Sequence, residues 1–74
     1  MKQEAVAAEL AKVVRARREG LGVSQEAFAD SINMHRTYYG AIERGERNMT
    51  MRILLKVCKG LGVKPSTILK DAGH

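Results

Sequence analysis

The sequence is poor in the residues that usually hold a small domain together or do chemistry in it. It has one cysteine, one proline, no tryptophan, one phenylalanine and two tyrosines in 74 residues. A lone Cys58 forbids an internal disulfide, and with two widely separated histidines and no Cys or carboxylate cluster, metal binding and nucleophilic catalysis have no constellation to work with. No enzyme, metal or cofactor is expected. No apolar run approaches the ~20 residues that cross a bilayer, and the first residues lack the apolar stretch of a secretory signal, so a soluble, cytoplasmic protein is expected. Domains typically need ~50 residues or more, which leaves room for one domain over residues 1–74. A core this small supplies only ~3–5 kcal/mol without staples, so self-association is expected.

Positive charge is present in excess and unevenly placed. Residues 1–35 balance five basic against five acidic side chains, whereas residues 36–70 hold Arg36, Arg44, Arg47, Arg52, Lys56, Lys59, Lys64 and Lys70 against only Glu43 and Glu46. Such asymmetry points to a polyanionic partner facing the middle of the chain; a merely solvated surface is the plain alternative.

Apolar periodicity predicts five helices and no strand. Val6, Leu10, Val13, Val14 and Leu21 recur at helical spacing, which predicts a first helix over Gln3 to Glu19, stopped by Gly20-Leu21-Gly22. Ser24 has N-cap chemistry for a second, from Gln25 to about Ser31, with Phe28, Ala29 and Ile32 inward and Asn33 in the turn. A third runs from Arg36 to Arg44 with Tyr39 and Ile42 inward, closed by Gly45. Thr50 can cap a fourth whose inner stripe is Met51, Leu54, Val57, Cys58 and Leu61, and Pro65 suits the first position of a last helix, Pro65 to Lys70. Cys58 on that stripe reads as a buried, inert thiol.

Two short helices joined by a three- or four-residue turn, over about 24–44, form the helix-turn-helix pattern. With Tyr39 and Ile42 buried, Arg36, Thr37, Gly40 and Ala41 fall on the outer side of the third helix. Gly40 and Ala41 keep that surface low, Arg36 has the bidentate fork that guanine accepts, and Thr37 can meet a base or a thymine methyl. Tyr38 points outward, toward sugar or phosphate. His35 reads as a cap or a phosphate contact, and the free N–H groups at Gln25 suit a phosphate.

The Ser24-Gln25-Glu26 and Ile42-Glu43-Arg44-Gly45 runs at this spacing resemble the Xre-type, or Cro/repressor-like, helix-turn-helix proteins from about Arg15 to Leu69. Arg36-Thr37-Tyr38, Arg47-Asn48 and Thr50 are similar to the controller proteins of restriction-modification systems. The resemblance implies an all-α, five-helix domain of the lambda-repressor-like type that regulates transcription as a homodimer on a near-palindromic double-stranded operator. It implies that Arg36, Thr37 and Tyr38 read or flank the operator, that Gln25 contacts a phosphate, and that Arg47, Asn48 and Thr50 help hold the DNA; by their own placement, Ala41 on the outer face joins the base readout, and His35, Arg44 and Arg52 join the backbone contacts. It also implies that Glu43 turns away from the DNA to pair with Arg18. The sequence departs from the family at Asn33, where a turn Gly is usual, at Ser31, where an apolar residue is common, and at Gly40, where a polar one is often found. An antitoxin or phage repressor of the same fold, or a protein-interaction module without DNA binding, remains open. Leu55 flanks the fourth helix's inner stripe, and Ile68 and Leu69 exceed what one short helix can bury, so these three are the candidate dimer contacts.

Overall fold

The computed structural model describes residues 3–74 as five helices: α1 (Gln3–Gly20), α2 (Gln25–Ser31), α3 (Arg36–Glu43), α4 (Met51–Leu61) and α5 (Pro65–Asp71). Each boundary has a local cause. Ser24 Oγ accepts from the Ala27 N–H at 3.0 Å, His35 Nδ1 from the Thr37 N–H at 3.1 Å, and Thr50 Oγ1 from the Ile53 N–H at 3.2 Å, so α2, α3 and α4 each begin on a side-chain cap. Asn33 makes the α2–α3 turn in the left-handed region, at φ 58°.

The helices close over one core. Val14, Tyr39, Val57 and Ile68 are fully buried, with Phe28, Ile42, Leu54, Cys58 and Leu61 around them. α1 lies against α3, α4 and α5, and α2 packs on α3, where the Phe28 and Tyr39 rings meet at 5.1 Å. At the other end of the chain, Arg17 clasps Asp71 and His74 meets Glu9, which ties the α5 end to α1. Gly45 (φ 74°) sits so near α1 that a Cβ there would lie 3.2 Å from Ala8 Cα, which pins the start of the α3–α4 loop. No helix among the described residues is long and apolar enough to cross a membrane.

At Gly60, α4 passes close to Phe28 of α2 and to Ile32 just after it. A Cβ there would collide with Ile32 Cγ2 and press on Phe28 Cζ at 3.0 Å. Alanine gains up to about 1 kcal/mol of helix propensity over glycine, but overpacking costs about 1–3 kcal/mol, and the branched Ile32 side chain has little freedom to yield. Gly60→Ala should therefore lower the melting temperature by several degrees in a calorimetric scan; an unchanged or higher value would mean that Ile32 moves aside freely.

Four expectations from spacing are corrected. Leu21 continues the α1 pattern in sequence but follows the helix end, and it is 52% exposed. Met51 lies on the inner stripe by spacing, yet it is 66% exposed, because the stripe outruns the helices that cover it; Met49 in the loop packs against the core instead. Gly40 is buried, as Gln25 and Arg44 lie over it, so it offers no open surface. Ile68 is fully buried in its own chain between α1 and α4 and has no surface left for a dimer contact; Leu69 is half-buried against the same core. Leu55 stays exposed.

Candidate nucleic-acid interface

The interface is built on a buried polar clamp behind α3. Arg18 donates to both oxygens of Glu43, from Nε at 2.7 Å and from Nη2 at 3.1 Å, and its Nη1 donates to the Val23 carbonyl at 2.6 Å. Tyr39 Oη donates to Glu43 Oε2, and Gln25 Nε2 donates to Oε1 at 2.8 Å. The expected Arg18–Glu43 pair is thus present, while Arg17 turns away to Asp71.

Every buried side-chain polar atom among the described residues has a partner. Burial by itself pushes the Glu43 carboxyl up, but the hydrogen bonds from Arg18, Tyr39 and Gln25 outweigh it and hold the group below its ordinary value. The bond to Glu43 raises Arg18, while burial and then the Glu43 contact push the Tyr39 hydroxyl upward, so it stays protonated. Burial likewise raises the Cys58 thiol and so disfavours the thiolate, the reactive form. One clamp joins α1, α2 and α3 and fixes the tilt of α3 against the body of the domain.

In front of the clamp, α3 presents its first turn to solvent. Arg36 and Thr37 are exposed, and Arg36 Nη1 stands 3.7 Å from Glu26 Oε1. His35, Thr37, Tyr38, Ala41, Arg44, Glu46 and Arg47 line one shallow cleft. Within it, Arg47 Cζ lies 5.1 Å from the centre of the Tyr38 ring, close enough for a cation–π contact, and Arg44 Nε donates to Glu46 at 3.1 Å. His35 accepts at Nδ1 to cap α3, which leaves Nε2–H as the ring's donor on an exposed side chain. Asn48 is exposed in the adjoining loop.

Three candidates lie differently. Gln25 turns its amide inward to Glu43, so one of its two side-chain N–H groups is committed to the clamp. Thr50 spends its hydroxyl as an acceptor on α4's first turn. Arg52 stands apart from the cleft, on the outer face of α4 beside Leu55, Lys56 and Lys59.

Sequence reasoning missed the part that Tyr39 and Gln25 play in the clamp. The i, i+4 spacing of Tyr39 and Glu43 could have signalled the first. Nothing local signals the second, nor the Glu26–Arg36 pair, which crosses the turn between two helices.

The model of a helix-turn-helix family matches residues 14–68, which is most of the chain. Over 60 residues the chain is 42% identical to Control protein C.MunI of a Mycoplasma species, covering 81% of each. The chain belongs to the helix-turn-helix control proteins. The restriction-modification controller protein C.AhdI from Aeromonas hydrophila superposes with a TM-score of 0.80 at 31% identity, over 84% of this chain and 94% of that one. The controller protein C.Esp1396I, solved as a tetramer in complex with its natural 35 base-pair operator, superposes equally well, at 0.80 and 30% identity over 93% and 96% of the two chains. This control protein thus shares both the fold and most of the length of its relatives, and the matched residues 14–68 include α2, the turn and α3.

Proposed function

We propose that this control protein binds double-stranded operator DNA as a homodimer and regulates transcription in a restriction-modification system, in the cytoplasm and without catalysing a reaction. The single observation that carries this reading is the exposed first turn of α3, with Arg36 and Thr37 at its head, held rigidly by the Arg18–Glu43 clamp and flanked by the basic cleft of Arg44 and Arg47. A preset helix with a low polar end can enter a major groove about 12 Å wide. The solved complex of the similar C.Esp1396I with its operator supports the same use of the same fold.

In this reading Arg36, Thr37, Tyr38 and Ala41 meet base edges. His35 Nε2, Arg44, Arg47 and Asn48 hold phosphates, joined by the backbone N–H groups near Gln25. Thr50 and Arg52 approach the backbone at the start of α4. With Ile68 withdrawn into the core, the dimer contact centres on the exposed apolar residues of α4, Leu55 and Met51, four residues apart on one face, with the outer part of Leu69.

A two-fold contact there should place the recognition helices about one DNA turn, ~34 Å, apart. Selection of duplexes from a random pool is expected to return a near-palindrome with half-site centres ~10 base pairs apart. Sedimentation equilibrium should find a dimer for the wild type and a monomer for Leu55→Glu. A monomeric wild type, or a Leu55→Glu dimer, would remove α4 as the interface, and a selection without any sequence preference would remove operator recognition.

A further inference from the structure

Two carboxylates stand on the face assigned to DNA, where negative charge weakens attraction to phosphates. Glu26, on the first turn of α2, is about as exposed as the Arg36 it meets, 65% against 66% of the side chain. Glu46 pairs with Arg44 at the edge of the cleft that holds Thr37 and Tyr38. Glu43 lies in the same basic half of the chain but is turned inward to Arg18 and puts no charge on this face. Stability does not account for the two exposed pairs, because solvent-screened ion pairs contribute little to folding. Glu26 does favour the positive end of α2, yet that position alone would not bring it opposite an arginine of the next helix.

We infer that Glu26, seconded by Glu46, is a specificity-determining residue that suppresses binding to DNA lacking the operator sequence. Non-specific binding comes from attraction between basic side chains and phosphates, so a carboxylate beside Arg36 cancels much of what Arg36 adds and is itself repelled by the backbone. At the operator, Arg36 exchanges the carboxylate for two directed hydrogen bonds to a guanine, an interaction that depends on sequence and offsets the loss. The same exchange applies to Arg44 and Glu46, with a phosphate held in register by the neighbouring contacts. The carboxylates therefore lower affinity everywhere but lower it most where Arg36 has no guanine to meet.

The inference rests on the DNA-binding reading above, and one set of titrations separates the two. Fluorescence anisotropy would follow the wild type, Glu26→Gln and Glu46→Gln on two labelled duplexes. One is selected from a random pool by the wild type; the other is a shuffled duplex of the same length and composition. Both substituted residues are exposed, so both variants should stay folded, with Glu26→Gln melting at most a few degrees lower for the charge lost at the start of α2. Glu26→Gln is expected to tighten binding to the shuffled duplex by about threefold to tenfold and to steepen its salt dependence by about 0.9 in the log–log slope. Binding to the selected duplex should change less, so the ratio between the two falls, and Glu46→Gln should move in the same direction by a smaller amount. Equal tightening on both duplexes would overturn the inference, as would unchanged binding. Weaker binding to the selected duplex alone would overturn it too, making Glu26 a direct reader or a guide for Arg36. A wild type that binds the two duplexes alike, or neither, brings down the DNA-binding reading itself, whereas a selective wild type with an unresponsive Glu26→Gln brings down this inference only.

Discussion

Replacing Glu43 by Ala is expected to cost the domain about 3–5 kcal/mol, because it leaves the buried guanidinium of Arg18 without its counter-charge. Arg18 and Glu43 are 8% and 6% exposed, so water can do little to replace the lost partner. Tyr39 Oη and Gln25 Nε2 would lose their acceptor in the same step. A core of this size has only about 3–5 kcal/mol to spend, so the Ala variant should be largely unfolded at room temperature. Glu43→Gln keeps the shape and part of the bonding and should fall between the two in urea midpoint, measured at one fixed protein concentration because dimerisation adds to apparent stability. A midpoint for Glu43→Ala equal to that of the wild type would mean that the clamp contributes nothing.

Acid should expose the same clamp. The folded-state carboxyl is held below its ordinary value, so its contribution is fully present above the unfolded-state pKa of about 4.3 and is lost as the pH falls through the lower folded-state value. Glu43→Gln has no charge to titrate, and its midpoint should vary less than the wild type's across that acidic window.

Arg36→Ala is the second large effect. Loss of a bidentate contact should weaken operator binding by about 1–3 kcal/mol and relax preference at one base pair in each half-site, with a smaller change on random DNA. The proposed role of Glu26, 3.7 Å from Arg36, accounts for that difference: the carboxylate offsets the charge of Arg36 in a complex in which it finds no guanine. Equal losses on operator and random duplexes would assign Arg36 to a phosphate instead. The side chain is exposed, so folding should be unaffected.

What the sequence alone determined about this protein is local: the five helices, their starts at Ser24, His35 and Thr50, the turn at Asn33, and a basic half that begins at Arg36. Caps and turns act over two or three residues, and helical spacing acts over four, so neighbours along the chain carry the whole instruction. The Arg18–Glu43 pair came from likeness to relatives rather than from spacing, since 25 residues separate its partners. Tertiary structure alone decided where each helical stripe stops being covered, and so exposed Met51, buried Ile68 and closed Gln25 and Arg44 over Gly40. It also chose the partners of the long charged side chains, setting Glu26 against Arg36 across a turn and Arg47 over the Tyr38 ring. Burial depends on which face meets another helix, and a flexible arginine takes the nearest acceptor in space; neither is fixed by the residues next to it in the chain.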